Sequence, residues 1–500
     1  MSDVRVKKLN STYLQIDANS GVIREMWEHF SFQVPGCYFM SSYKTGRWDG
    51  FIRLLNPKTR KIYAGLHRQI KEFCDISGYN FIPESTDWEV APGEQVKIDF
   101  DDFAEFLEGL NLHADGQKIT PRPYQLEAIY HAITEQGSLL ISPTSSGKSL
   151  IIYCVLRWIR LQSDKPIVLV VPTTSLVEQM YKDFGEYSQY DDHWDVDEHC
   201  NKVYEGKSKV TSGITITTWQ SLVKFPKRYL QDCVGVIGDE AHTFTAKSLT
   251  GIMENCINAK YRLGTTGTLK DGVVNEMVLE GLFGPIKHVT TTKKLMDEGH
   301  ISELDIKIVR LKYPSDTCKL MKKSDYNSEV SFINSHEWRN KYIRNVTLDL
   351  DGNTIVMFRH VDHGRHLYNL FKEKAHKKRK IFLVYGGTET DTREEIRAIV
   401  EKEENAIIVA SLGTFSTGIN IRNIHNIVFA APTKSSVTVL QSIGRGLRKS
   451  TDGRGCILID IVDDLSTGKH ANYTFKHGAL RLEMYVREKF NYEMITINTG

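Results

Sequence analysis

A chain of 500 residues with 41% hydrophobic and 25% charged residues can bury several cores and is too apolar for a disordered or fibrous chain. Roughly 100–200 residues per domain would give about three or four domains. Lys plus Arg (64) and Asp plus Glu (62) nearly cancel to a formal charge of +2, which excludes polyanion binding through bulk charge and leaves local patches for any nucleic-acid contact.

The 8 cysteines run from Cys37 to Cys456 without a C-x-x-C pair, so neither a zinc site nor a disulfide framework is expected, and a reduced cytoplasmic setting is. The start, MSDVRVKKLN, lacks an apolar signal core. The longest apolar runs, such as Ile167–Pro172, are too short to cross a bilayer, so no membrane partner is expected.

In chain order, residues 1–112 read as a small α/β module rich in aromatics and ending in the acidic stretch Asp99–Glu108. Within it, Lys44, Arg47, Arg53, Lys58, Arg60, Lys61, Arg68 and Lys71 share a stretch whose only acid is Asp49, interleaved with Tyr43, Trp48, Phe51 and Tyr63. Basic side chains neutralise phosphates and aromatics stack on exposed bases, which predicts nucleic-acid contacts at Arg47, Arg53, Lys58, Arg60 and Lys61. Trp48 and Phe51 are expected as core residues of the module, and the alternative for the charges is a solvated face.

The polar, turn-rich segment Asn111–Thr120 suits a linker. Two series of short β-branched runs follow, each run trailed by a stretch with helical spacing. The first series is Ser138–Ile141, Ile167–Val171, Ile214–Thr218 and Val234–Gly238. The second is Ile355–Phe358, Ile381–Tyr385, Ala406–Ala410, Asn426–Ala430 and Cys456–Ile461. Runs that are apolar throughout predict parallel strands covered on both faces, hence two doubly wound domains, over 113–295 and 296–472, with a hinge near Thr290–His300. A tail, 473–500, carries one amphipathic stretch, Ala479–Phe490, with Leu480, Leu482, Tyr485 and Val486 as its expected buried face.

Chemistry gathers in the first series. Ser138–Leu150 reads strand, small-residue loop, helix start, with Gly147-Lys148-Ser149 at the junction. Such a loop, Thr144, Ser145, Ser146 and Gly147, aims backbone N–H groups at a phosphate, with Lys148 on the outer phosphates and the Ser149 hydroxyl on Mg²⁺. With serines at Ser142 and Ser145, the backbone there is expected to avoid strongly positive φ. The run Val234–Gly238 leads into Asp239-Glu240-Ala241-His242, placing two carboxylates at the carboxyl end of a buried strand. Asp239 suits a hydrated Mg²⁺ and Glu240 suits polarising an attacking water. A strand–turn–helix corner and a solvated acidic turn are the plainer readings of each motif alone.

With both motifs in place, the chain resembles the superfamily 2 helicases across both α/β domains. The resemblance implies two tandem RecA-like doubly wound parallel-sheet domains behind a small α/β N-terminal module, with a short helical tail. It implies ATP and Mg²⁺ as cofactors. Arg122-Pro123-Tyr124-Gln125 resembles the adenine-reading motif, and an amide can both donate to and accept from adenine, selecting ATP over GTP. Pro172–Leu176 and Thr217–Gln220 resemble strand-contacting segments, implying nucleic-acid contacts at Thr173, Thr174, Thr218 and Trp219. Gly264–Thr268 stands at the family's coupling motif, with Thr266-Gly267-Thr268 in place of the usual Ser-Ala-Thr.

In the second domain, Ile355–Arg359 resembles the opening motif. Gly413–Asn420 resembles the segment linking DNA to nucleotide, which implies a DNA contact at Thr414 and nucleotide contacts at Gly418 and Asn420. Gln441-Ser442-Ile443-Gly444-Arg445-Gly446-Leu447-Arg448 matches Q-x-x-G-R-x-x-R, implying a catalytic glutamine and two arginine fingers for the γ-phosphate. Gly46–Leu55, Gly65-Leu66, Lys476–Gly478 and Glu488–Tyr492 are similar to the recombination-helicase family of T-even phages. That similarity implies a monomeric, intracellular enzyme remodelling forks, Holliday junctions and RNA–DNA hybrids in recombination, repair and replication, beside recombination or single-strand-binding proteins. A DEAH-type RNA helicase, a double-strand translocase and a non-hydrolysing ATP-switched clamp are the competing expectations.

Overall fold

Each of the two parallel-sheet domains expected above is built on seven strands. The structure, a computed structural model, describes the chain apart from residues 1, 35, 85–95, 205–212, 244–245, 268, 270–272, 415–420, 422, 435, 448–452 and 500. It also leaves the side chains of residues 246–248, 273–275, 390, 436–438, 441 and 445 undescribed. Two compact units form, residues 1–142 with 147–289 and residues 290–500, the short loop Pro143–Ser146 grouping with the latter.

In the first unit the strand order is Cys200–Val203, Ile214–Thr218, Ile167–Val171, Gly235–Gly238, Tyr261–Thr266, Gly137–Ile141 and Ile286–His288, every neighbour parallel. Successive strand residues point to opposite faces, so each face takes alternate side chains. Leu140, Ile167, Leu169, Val171 and Ile237 enter one core with the helix Lys148–Gln162. Leu139, Ile141, Val168, Val170 and Val236 enter another.

That second core is shared with the N-terminal module. The module is a four-stranded mixed sheet in the order Lys61–Tyr63, Tyr13–Asp17, Asp3–Lys8, Asn80–Glu84, and its Val4, Val6, Leu14, Ile16 and Ile62 are fully buried in the same cluster. Arg262, buried, ties the two together through the Thr12 hydroxyl (3.1 Å) and the carbonyls of Met253, Cys256 and Leu282. Loss of water around it pushes its pKa down to about 10. The segment expected as a linker folds as a short hairpin, His113–Ala114 with Gln117–Lys118, and Leu112 beside it is buried in the core.

The second unit repeats the parallel order with Ile381–Val384, Ile407–Ser411, Thr354–Phe358, Asn426–Phe429, Cys456–Asp464, Leu304–Lys312 and Asn491–Asn498. The tail is therefore more than a helix: after Tyr473–Arg487, the strand Asn491–Asn498 becomes the sheet's edge. Its helix buries Tyr485 as expected but is turned away from the rest of the expected face. Leu480 and Val486 are exposed and Leu482 half-buried, while Gly478, Arg481, Met484 and Tyr485 turn inward. The reason is an ion pair, since Arg481 reaches Asp460 inside the sheet (2.7 Å) and sets the helix rotation.

Trp48 and Phe51 also differ from the core role expected of them. Trp48 is half-buried, donating its indole N–H to the Phe51 carbonyl (2.8 Å), and Phe51 is exposed. The two-stranded ribbon Ser31–Gln33 with Phe51–Arg53 is too short to cover their rings. All eight cysteines are buried and free. No helix among the described residues is long and apolar enough to cross a membrane.

Candidate active site

Three neighbouring strands of the first sheet, Gly235–Gly238, Tyr261–Thr266 and Gly137–Ile141, end side by side, with Gly238 paired to Gly264 and Thr266 to Ile141. Parallel strands deliver their carboxyl ends to the same edge, so the loop after Ile141, the carboxylates after Gly238 and the hydroxyls of Thr265 and Thr266 converge there. The sequence motifs place these groups far apart, and the sheet register brings them together.

The Lys148 ammonium lies 3.6 Å from Glu240 and donates to the Ser142 carbonyl at 3.2 Å. Asp239, buried, accepts from the Thr265 hydroxyl at 2.6 Å, and its backbone N–H donates to the Val170 carbonyl. Burial, reinforced by the charge on Glu240, raises the Asp239 pKa to about 6, with Lys148 and the Thr265 hydroxyl pulling the other way. His242, also buried, sits with Nδ1 2.6 Å from the Thr266 hydroxyl and 3.4 Å from Glu240. The departure Thr266-Gly267-Thr268 therefore keeps its link to the acidic motif: Thr265 holds the aspartate and Thr266 holds the histidine. Thr268 lies outside the described residues. Thr265 and Thr266 stand in the expected coupling motif and His242 in the acidic one, and the pairing register brings them to the partners they meet here.

Backbone strain marks the same place. Ser145 has φ 68° and Glu240 φ 49°, in the left-handed region that costs non-glycine residues about 1–2 kcal/mol. Ser145 thus overturns the expectation of an ordinary backbone there, because reversing the chain between the strand and the helix Lys148–Gln162 demands that conformation whether or not glycine is present. Gly147, φ 81°, meets a second demand, since a Cβ there would lie 2.2 Å from the Gln125 amide nitrogen.

Gln125 is buried and set by the start of its own helix, Pro123–Glu135: the Arg122 backbone N–H donates to Gln125 Oε1 at 2.8 Å. Arg122 Nη1 donates to the Tyr124 hydroxyl at 2.9 Å. The Ser149 hydroxyl is 2.8 Å from the Tyr187 hydroxyl, a partner that the sequence did not suggest. The Ser146 hydroxyl donates to the Pro143 carbonyl at 2.7 Å, closing the loop that also carries Thr144.

The strand-contact residues are occupied locally. Thr173 caps the helix Thr174–Tyr187, accepting from the Leu176 N–H, with Thr174 in its first turn. Thr218 donates to Ser221 at 3.2 Å, and Trp219 packs on the core shared with the N-terminal module. In the second unit Thr414 pairs its hydroxyl with Ser411 at 2.7 Å. Gly418, Asn420 and Arg448 lie outside the described residues, as do the side chains of Gln441 and Arg445, whose backbone belongs to the helix Ser436–Gly446. In the N-terminal module, Arg53 is ion-paired to Asp49 and Arg60 to Asp17 (2.6 Å). Lys61 is poised over the Tyr13 ring, and Arg47 and Lys58 are exposed.

Three family models match the chain in series: DNA helicase UvsW, N-terminal, over residues 3–83; Type III restriction enzyme, res subunit, over 118–271; and Helicase conserved C-terminal domain over 338–450. The ATP-dependent DNA helicase uvsW of Enterobacteria phage T4 is 34% identical over 99% of this chain and 100% of its own length. The chain belongs to the UvsW family of ATP-dependent DNA helicases. The crystal structure of T4 UvsW superposes with a TM-score of 0.53 at 33% identity, covering 100% of both chains. A putative HsdR subunit fragment of a type I restriction enzyme from Vibrio vulnificus, at 16% identity and TM-score 0.57 over 90% of this chain and 77% of its own, shares the fold. As a UvsW-family member the protein is an ATP-using enzyme on two RecA-like sheets, as the motifs led one to expect.

Proposed function

We propose that this UvsW-family helicase remodels branched DNA inside the cell, converting ATP hydrolysis at the edge of its first sheet into strand displacement at forks, four-way junctions and RNA–DNA hybrids. The observation that supports it most is the continuous polar chain Lys148–Glu240–His242–Thr266, with Thr265 on Asp239. A change at the phosphate loop reaches two acidic-motif residues and the coupling segment through contacts of 2.6–3.6 Å.

In this reading Lys148 meets the outer phosphates with the loop residues Thr144, Ser145, Ser146 and Gly147, and Glu240 orients and deprotonates the attacking water. Arg122, Tyr124 and Gln125 hold the adenine end, and Gly418 and Asn420 serve the nucleotide from the second domain. Gln441, Arg445 and Arg448 stabilise charge on the γ-phosphate. Ser149 and Asp239 would hold Mg²⁺, partly through water.

The donor set fits such an ion. Mg²⁺ prefers oxygen and keeps much of its water, so one carboxylate and one hydroxyl suffice without an all-protein cage. Among the described residues no cluster of three or more His, Cys, Asp or Glu side chains is disposed for a metal. The Ser149 hydroxyl retains a lone pair for a cation when it donates to Tyr187. When bound, the ion would neutralise charge that develops on the phosphates.

DNA is held through its backbone, by Thr173, Thr174, Thr218, Trp219 and Thr414 on the motor domains. Arg47, Arg53, Lys58, Arg60 and Lys61 add contacts from the N-terminal module. Backbone contacts carry no sequence information, so selection is for structure. The domain limits 1–112, 113–295, 296–472 and 473–500 are proposed as the working parts. Action as a monomer, beside recombination or single-strand-binding proteins, completes the reading. An unwinding assay across forks, four-way junctions, R-loops and linear duplex tests it: branched substrates should be resolved with ATP and Mg²⁺ far faster than linear duplex. Equal rates on all four would refute the branched-DNA role.

A further inference from the structure

The N-terminal module carries an exposed apolar tip that neither core packing nor the basic stretch accounts for. Tyr38 is 59% exposed, Phe39 74% and Met40 43%, and Phe51, next in sequence to the Gly50 that packs on Cys37, is 37% exposed. Four large apolar side chains in water on one small module cost free energy without an occupant, and contiguous patches of this kind mark binding surfaces.

The tip is held rigidly. Its base is Cys37, 1% exposed, and the turn Cys37–Phe39 is closed by bonds from Cys37 N–H to the Val34 carbonyl, Phe39 N–H to Gly36 and Met40 N–H to Cys37. The short helix Ser41–Lys44 follows at once, and Arg47 and Trp48 both donate backbone N–H groups to the Ser42 carbonyl. Gly50 locks the loop from behind: at φ 83°, a Cβ there would fall 2.7 Å from Cys37 Sγ and 3.0 Å from the Tyr43 ring. The Tyr38 and Phe39 rings, 4.5 Å between centroids, are thus displayed on a braced turn, with their ordering cost already met in the free protein.

Charge decides the occupant. Lys44, Arg47 and Lys58 are exposed and make no ion pair among the described residues, and Asp49, the one acid between Lys44 and Lys71, is bound to Arg53. Arg53 also spreads its guanidinium over Trp27 and Phe51, 4.8 and 5.4 Å from their centroids. A protein partner with an apolar patch would need no such positive rim. Unstacked nucleobases flanked by phosphates need both features, because a ring face takes a base of any identity and cations take the backbone.

We propose that Tyr38 and Phe39 form a stacking wedge that engages the unpaired bases at a DNA branch point, with Lys44 and Arg47 on the flanking phosphates. This rests on the branched-DNA reading above and adds the element of the protein that recognises the branch.

The test uses the full chain and forks carrying 2-aminopurine at the branch-point base of each arm. Wild-type protein without ATP should change the fluorescence of the branch-point probe and leave a probe placed ten base pairs into the duplex unchanged. Tyr38→Leu with Phe39→Leu keeps the tip apolar and removes the rings. It should lose the branch signal and bind forks about 5–100-fold more weakly, as loss of base stacking implies, while single-strand-stimulated ATPase stays within about twofold of wild type. The Ala pair should behave in the same way, and the Leu pair decides the matter if the Ala pair fails to fold.

The wedge is overturned if the wild-type branch probe does not respond or if the Leu pair keeps the full response. It is also overturned if the pair alters sedimentation of the free protein but not fork binding, which would make the tip a contact between copies of this chain. Failure of the broader reading looks different: the branch probe responds, yet no branched substrate is unwound.

Discussion

Both parallel sheets bury carboxylates near the carboxyl ends of central strands, and they treat them in opposite ways. In the second sheet Asp463 receives Arg339 Nε at 2.7 Å and Nη2 at 3.0 Å plus the Tyr313 hydroxyl at 2.9 Å, and Asp460 receives Arg481 and the Tyr485 hydroxyl. Each arginine spends a further N–H on a carbonyl, Ala430 for Arg339 and Thr433 for Arg481. In the first sheet Asp239 and Glu240 follow one another with the Lys148 ammonium 3.6 Å from Glu240, and burial together with the charge on Glu240 raises the Asp239 pKa. Carboxylates matched by guanidinium groups hold a fold together. A buried carboxylate whose pKa is raised, beside a strained backbone, is the kind of group that functional sites collect.

The largest expected effect breaks the first-sheet site. Lys148→Ala should abolish DNA-stimulated ATP hydrolysis, by about 10³-fold or more, since the charge that meets the transferring phosphate is gone. Glu240→Gln should bind ATP yet turn over at least about 10²-fold more slowly. Arg445→Ala and Arg448→Ala should likewise lose turnover while keeping nucleotide affinity. Steady-state ATPase with fluorescent-nucleotide binding separates these outcomes, and wild-type turnover in any one variant removes that residue from the machinery.

The matched site should fail in the other currency, stability. Asp463→Ala leaves Arg339 charged and fully buried, which costs about 3–5 kcal/mol. Removing both partners, as Arg339→Met with Asp463→Leu, should recover part of that loss, because no buried charge is left, while the Tyr313 hydroxyl and the Ala430 carbonyl lose their partners. Urea denaturation followed by a probe in residues 290–500 reads the difference. A double variant no more stable than Asp463→Ala would mean that the pair supplies more than charge balance.

Much of this was readable beforehand, for a physical reason. Strands buried on both faces, such as Ile167–Val171, are apolar throughout and announce themselves. Leu304–Lys312 alternates buried with half-exposed residues around Asp305, Lys307 and Arg310, and Asn491–Asn498 is an exposed edge, so neither resembles its neighbours in sequence. Lys148, Asp239 and Glu240 were readable from spacing. Thr265 and His242 lie in motifs visible in the sequence, but their partners come from the register of strands distant in sequence, and Ser145 acquires its φ from the closure of a loop. Arg339 and Arg481 could not be distinguished from solvated helix arginines, because the aspartates that bury them lie 124 and 21 residues away.

The smallest effect sharpens the comparison through pH. In the free protein, with EDTA and no nucleotide, Asp239 has its pKa raised from 3.8 in the unfolded chain to about 6 in the folded one. The folded state therefore binds more protons than the unfolded state between these values, and stability falls as pH rises from about 4 to about 6 and stays lowered above that. Asp239→Asn keeps an oxygen for the Thr265 hydroxyl and removes the charge, so it should be more stable than wild type at pH 8, by on the order of 3 kcal/mol at most. At pH 5 the advantage should shrink to about half, and near pH 4 it should vanish, because the wild-type side chain is then neutral as well. Differential melting of the two proteins across this range gives the sign directly. A variant less stable than wild type at pH 8 would mean that Lys148 and Thr265 already offset the buried charge, leaving Asp239 as well matched as Asp463 and Asp460 are by their arginines.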